Sequence, residues 1–135
     1  IAGKLNFTAY PLGYISDERA IADVYNSADV FVLPSLEDNL PNTIMEAMAC
    51  GVPCVGFNVG GIPEMIDHGK TGYVAKERDT DDLAKGIDWA IDARRKSELS
   101  ANAVSKVQRC YSEHAVAMKY IDVYSDALAQ RGYNI

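Results

Sequence analysis

The chain has 135 residues, of which 48% are hydrophobic and 24% charged. That is one domain's worth, with the balance of a globular domain able to bury a core. Its formal net charge of −6 argues against a nucleic-acid surface, which needs clustered Lys and Arg. It leaves room for a small anion held by backbone N–H groups at a helix start. Cys50, Cys54 and Cys110 lack metal-ligand spacing. Cys50 and Cys54 straddle Gly51 in a C-x-x-x-C arrangement, and all three read as small core or surface thiols of a reducing compartment. No apolar run approaches the roughly 18 residues of a membrane span. No signal peptide is visible, and the lack of an initiator Met reads as a fragment or a trimmed chain.

Alternation predicts a strand around Leu5–Ala9, followed by a turn at Pro11–Gly13. Ser16 is the expected N-cap of a helix with Asp17 and Glu18 in its first turn. Ile21, Val24 and Tyr25 recur at helical spacing to an end near Asn26–Ser27. Val30–Leu33 reads as a buried strand, Glu37–Asn39 as an acidic turn, and Asn42–Cys50 as a helix with Ile44, Met45, Met48 and Ala49 apolar. Gly51 and Pro53 stop that helix, and the apolar run Val52–Phe57 predicts a central strand covered on both faces. Beyond it come a loop at Asn58–Gly61, a short helix from Ile62 with Pro63 in its first turn, a turn at Asp67–Gly72 and a short strand at Tyr73–Ala75. Three helices then follow. Thr80 is the expected cap of the first, which carries Leu83, Ile87, Trp89, Ala90 and Ile91; Ser97 or Ser100 opens the second, with Ala101, Val104 and Val107. Ser112 caps the last, whose apolar stripe is Val116, Ala117, Tyr120, Ile121, Tyr124 and Leu128. There is no internal repeat. The pattern is α/β: a Rossmann-like parallel sheet flanked by helices, with a helical tail that wraps or crosses it.

Strand, acidic loop, helix and strand between Val30 and Phe57 form a βαβ unit. Asp38, in the loop, and Glu46, about one turn into the helix, then face the crevice at the carboxyl ends of the strands, where open α/β sheets bind ligands. Two carboxylates there accept hydrogen bonds from hydroxyls, as recognition of a sugar and a ribose requires. The plainer alternative is a solvated acidic turn and a surface Glu. The first N–H groups of the helix, from Leu40, Asn42, Thr43 and Ile44 (Pro41 has none), suit a diphosphate, unless the Asn39 or Asn42 side chain caps them. Gly60–Gly61 before a helix either lets a ligand approach the backbone or makes a plain tight turn. Neither a G-x-G-x-x-G fingerprint nor a P-loop occurs. His68 and His114 read as surface or capping residues, and Tyr120 and Tyr124 as core-facing packing.

Taken together, the run PSLEDNLPNTIMEAMACGVPCVGFNVGGIPEMIDHGKTGYV resembles the signature of the group 1, or family 4, retaining glycosyltransferases. That signature has P-S, a Glu, seven residues, a second Glu in E-A-M-A-x-G-x-P-V-V, then G-G-x-x-E and G-x-x-G. G-Y-I-S-D at 13–17 resembles the strand end before the base-binding loop, and the likeness extends through the Leu83–Tyr124 tail. It implies one lobe of the two-lobed GT-B architecture: a partial C-terminal, donor-binding lobe over residues 1–135, with the acceptor-binding N-terminal lobe absent. The implied activity moves a hexose from a UDP- or GDP-type nucleotide-diphospho-sugar to an acceptor hydroxyl with retained configuration, without a cofactor or metal.

The resemblance also implies roles. Glu46 takes the ribose hydroxyls, Asp38 or its neighbour Glu37 faces the donor sugar, backbone groups of Leu40, Asn42 and Thr43 meet the diphosphate, and Ile15 with Asp17 borders the base. No catalytic residue falls to this lobe. The implied partners are the donor, the protein's own N-terminal lobe and a saccharide or lipid-linked acceptor. The implied location is cytoplasmic, with the whole protein peripheral at the inner face of the membrane. The sequence departs from the pattern at the first acid, which is Asp38 rather than Glu, and at Asn39-Leu40-Pro41, where Gly-Phe-Gly is usual. The family's Arg and Lys for the diphosphate precede the region where this chain starts. With half the cleft missing, the isolated chain is expected to be inactive or nearly so. The rivals are a non-catalytic nucleotide-binding module, favoured by Asp38 and the altered loop, and a phosphosugar epimerase lobe.

Overall fold

A computed structural model describes residues 6–132. The element order is α1 (Glu18–Asn26), β1 (Phe31–Leu33), α2 (Asn42–Ala49), β2 (Cys54–Phe57), α3 (Ile62–Met65), β3 (Gly72–Ala75), α4 (Thr80–Ala90), α5 (Lys96–Cys110) and α6 (Glu113–Gln130). The strands form one parallel sheet in the order β1-β2-β3, with Phe31 opposite Cys54 and Cys54 opposite Gly72. This is the expected Rossmann-like α/β arrangement. β2 is central and buried at every position, which is why its sequence is apolar without alternation.

The two faces of the sheet are covered by different helices. Val55 and Tyr73, partners in register, face α4, where a Cβ on Gly86 would lie 2.4 Å from the Tyr73 ring and 3.0 Å from Val55. Gly86 thus lets α4 settle directly onto the strands. On the opposite face Ile62 reaches Gly56 and the Cys54 thiol points at the Ile44 carbonyl, 3.8 Å away. Ile44, Ala47, Met48, Ile62, Met65 and Ile66 form the centre of the core. Gly51 ends α2 at φ +74°, the left-handed conformation for which glycine has no steric penalty.

Several local expectations are corrected. Residues 6–9 of the expected Leu5–Ala9 strand are not extended into the sheet, and Leu5 lies outside the described residues. The cap of α1 is Asp17, whose side chain accepts from the Arg19 N–H at 3.1 Å, rather than Ser16. Asp79, accepting from Asp82 N–H, caps α4 in place of Thr80. α5 starts at Lys96, ahead of Ser97 and Ser100, with no side-chain cap. In α2 the buried residues are Ile44, Ala47 and Met48, with Ala49 exposed. In α5 they are Leu99, Ala103 and Lys106, with Ala101 exposed. Ser112 does cap α6. However, Tyr120 and Tyr124 are 60% and 64% exposed and stack on each other with centroids 6.3 Å apart, so they do not face the core.

Lys106 is a charged member of the interior. Its side chain is 7% exposed, and its ammonium donates to the Glu64 carbonyl at 2.6 Å and the Asp67 carboxylate at 2.8 Å. Those bonds satisfy the buried charge and tie α5 to the segment that leads into β3.

Gly60 and Gly61 are explained by the chain itself. A Cβ on Gly60 would sit 1.6 Å from the Asp38 carbonyl oxygen, and one on Gly61 would sit 1.6 Å from that of Asn39. The Gly61 N–H donates to the Asp38 carbonyl at 3.2 Å. The pair therefore lets the acidic loop after β1 lie against the loop after β2, rather than admitting a ligand to the backbone. Gly61 has φ −87°, so alanine there fits the backbone and fails only on contact. Gly61→Ala is expected to destabilise the fold by about 1–3 kcal/mol in urea denaturation, and to raise hydrogen exchange at residues 36–40.

Candidate functional site

The carboxyl ends of all three strands open onto a cavity of about 510 Å³ lined by Leu36, Glu37, Asp38, Asn39, Asn58, Val59, Gly60, Glu77 and Arg78. Asp38 is half-buried there, while Glu37 is exposed. Both candidate sugar-facing carboxylates therefore border the same space. Each strand contributes the loop that follows it, as expected for the ligand crevice of an open α/β sheet.

Glu46 lies elsewhere. It lines a second depression of about 370 Å³ with Gly13, Ile15, Tyr25, Phe31 and Thr43 among others. Asp38 and Glu46 line different depressions. The structure thus brings together Ile15, Thr43 and Glu46 on one side, and Glu37, Asp38 and Asn39 on the other.

Between the two depressions lies the start of α2. Its N-cap residue, Pro41, provides no side-chain hydrogen bond, so neither Asn39 nor Asn42 plays the capping role. The Ile44 N–H closes onto the Pro41 carbonyl at 3.2 Å, which removes it from the donor set. The N–H groups of Leu40, Asn42 and Thr43 have no acceptor among the described residues. Asn42 and Thr43 are exposed and Leu40 is 55% exposed. Free donors at the positive end of a helix suit an anion. Asp17 lines neither depression; its carboxylate is occupied at the start of α1.

Tyr25 is the residue that sequence reasoning missed. Its hydroxyl donates to a Glu46 carboxylate oxygen at 3.0 Å, and its buried ring packs edge-on against Phe31 with centroids 5.7 Å apart. The phenol fixes the orientation of the Glu46 carboxylate from below. Helical periodicity in α1 marks Tyr25 as apolar core, and it is core; only its 21-residue separation from Glu46, bridged by the fold, gives the hydroxyl a task. Of the histidines, His68 accepts the Val74 N–H on Nδ1 at 3.0 Å, a capping role as expected, and His114 is exposed in the first turn of α6. Among the described residues no group of three or more His, Cys, Asp or Glu is placed to hold a metal ion, and no helix is long and apolar enough to cross a membrane. The three thiols are free. Burial pushes the Cys54 thiol well above its ordinary range, so it is inert as a nucleophile.

Burial first, and then the hydrogen bond to Glu46, push the Tyr25 phenol from 10.0 up to about 12. The neutral phenol is the form the fold favours. Its contribution is therefore complete below pH 10 and is lost as pH rises through about 12. Tyr25→Phe keeps the ring and removes the donor. It is expected to lower stability near neutral pH by about 1 kcal/mol, and to flatten the fall in stability between pH 10 and 12 measured by urea denaturation.

Comparisons with known proteins bear on the family and the fold. The family model described as Glycosyl transferases group 1 matches residues 3–93. N-acetyl-alpha-D-glucosaminyl L-malate synthase of Bacillus anthracis is 34% identical over 119 residues, which is 85% of this chain and 30% of that protein. D-inositol 3-phosphate glycosyltransferase 2 of Catenulispora acidiphila is 33% identical over 113 residues, 83% of this chain and 26% of that protein. The sucrose-phosphate synthase structure from Thermosynechococcus elongatus superposes with a TM-score of 0.73 at 28% identity, covering 85% of this chain and 29% of that one. Anabaena Alr3699/HepE, solved in complex with UDP and glucose, shares the fold at a TM-score of 0.73 and 24% identity over 92% of this chain and 33% of its own. The chain thus spans about a third or less of the proteins it matches. On the family match and these identities, this chain belongs to the glycosyl transferases group 1 family.

Proposed function

We propose that this chain is the nucleotide-sugar-binding lobe of a retaining hexosyltransferase. The observation that carries the reading is the ordered row of groups across the start of α2: Ile15, Thr43 and Glu46 on one side, the free Leu40, Asn42 and Thr43 N–H groups in the middle, and Glu37 with Asp38 on the other. A nucleotide-diphospho-sugar of UDP or GDP type has the matching order of parts. Its base lies against Ile15, its ribose hydroxyls donate to Glu46 as held by Tyr25, its diphosphate meets the helix start, and its hexose reaches the cavity of Asp38 and Glu37. Asp17 is left at the rim on the base side.

In this reading the bond between the anomeric carbon and the diphosphate oxygen breaks with its electron pair leaving on the diphosphate, while the acceptor oxygen bonds to the anomeric carbon on the same face of the ring and its proton passes to the departing diphosphate. The departing diphosphate is stabilised by the α2 N-terminus and by cations outside this chain rather than by a metal. The acceptor, saccharide or lipid-linked, binds on a separate N-terminal lobe, and the whole protein works in the cytoplasm, peripheral to the inner membrane face.

The test is calorimetry on the full-length protein. A Gln at position 46 keeps one acceptor oxygen and replaces the other by a donor, so Glu46→Gln is expected to weaken UDP or GDP binding about tenfold. An unchanged Kd removes the ribose role. The lobe expressed alone is expected to show no glycosyl transfer in a radiolabel assay, because the acceptor half of the cleft is missing; turnover by the lobe alone overturns that division of labour.

A further inference from the structure

Arg78 has a feature that the donor-lobe reading does not use. Its φ is +60°, the one positive value at a non-glycine residue among those described. An arginine side chain gains nothing from this left-handed conformation, and glycine adopts it without a steric penalty. The side chain's local contact does not account for its presence. The guanidinium approaches Glu77 only to 3.6 Å, and the two side chains are 69% and 57% exposed; ion pairs of that kind add little. Arg78 instead lines the cavity at the strand ends together with Glu37 and Asp38.

Arg78 is the one cationic side chain that lines this cavity, where the amides of Asn39 and Asn58 add neutral donors and acceptors. The carboxylates of Glu37, Asp38 and Glu77 only accept hydrogen bonds, and the guanidinium of Arg78 only donates. A hexose ring presents hydroxyls that donate and accept at once, so it is bound best between groups of both kinds. We infer that Arg78 contacts the transferred sugar, donating to hydroxyl oxygens of the hexose whose protons go to Asp38 or Glu37, and thereby sets which sugar the cavity accepts. This inference rests on the donor-lobe reading and adds a residue that the signature motif does not contain.

Arg78→Gly separates this role from a structural one. In the full-length protein it is expected to raise the melting temperature by about 2–4 °C as the left-handed strain is relieved. By calorimetry with UDP, GDP and their glucose, mannose and N-acetylglucosamine conjugates, the free nucleotide is expected to bind the variant and the parent equally. The extra affinity that the preferred sugar adds is expected to fall about tenfold, with partial recovery in Arg78→Lys. An unchanged sugar increment, or a lower melting temperature in Arg78→Gly, overturns the role given to Arg78 while leaving the donor-lobe reading in place. Failure of the parent protein to bind any of these nucleotides overturns both.

Discussion

The close approach of two loop backbones governs how this fold presents its chemistry. The loop after β1 lies on the Gly60–Gly61 peptide so tightly that no side chain fits at either glycine, and one hydrogen bond from Gly61 to the Asp38 carbonyl pins the register. Three consequences follow. Asp38 is held at the strand ends, half-buried, instead of swinging free on an acidic turn. The Asp38 carbonyl is turned toward the loop after β2 and gives no cap to the following helix. The start of α2 is left with donors that nothing in the described chain satisfies. A loop that looks like a solvated connection is thus a fixed wall of the cavity.

Behind that wall the site is built in depth. Glu46 stands on α2, and α2 is clamped between the sheet and α5. The Tyr25 hydroxyl reaches Glu46 from α1 while the ring beneath it is part of the core. The same side chain thereby fills the interior and aims a carboxylate. Aiming by a packed ring costs little entropy, because packing has already fixed its rotamer. Lys106 does the corresponding task on the other side of α3, where a buried ammonium bound to a carbonyl and a carboxylate orients the segment entering β3. Polar side chains in this interior are few: Lys106 joins elements distant in sequence, while Thr71 closes its own turn by accepting from the Asp67 N–H.

The sequence was most legible where physics is local. Val52–Phe57 reads as a central strand because a strand covered on both faces has no reason to alternate, and Gly51 and Pro53 punctuate α2 unambiguously. Caps were misplaced by one residue where two capping types adjoin, Ser16 beside Asp17 and Asp79 beside Thr80, since either side chain is chemically able to serve. The strand expected at Leu5–Ala9 failed for a nonlocal reason: alternation proposes a strand, but only a neighbouring strand completes its hydrogen bonds. The stripe on α6 failed similarly, because an amphipathic pattern shows that a face is apolar and not what covers it. The acidic positions Asp38 and Glu46 were visible from their places in the βαβ unit. Their separation into two depressions, the support from Tyr25 and the true neighbour of the glycine pair all depend on contacts across the fold.

The turn that precedes β3 gives the sheet a direction. Gly69 donates to the Gly72 carbonyl and His68 accepts from the Val74 N–H, so two of the outward-facing groups of this edge strand are already engaged by the chain's own backbone and imidazole. An edge engaged at these two positions offers an interrupted ladder to an incoming strand, which disfavours the edge-to-edge association that exposed strands invite. The opposite edge, β1, has only β2 beside it among the described residues. Among the described residues the more open edge of the sheet is thus the β1 side, next to the depression of Ile15, Tyr25 and Glu46 and away from the turn that holds His68.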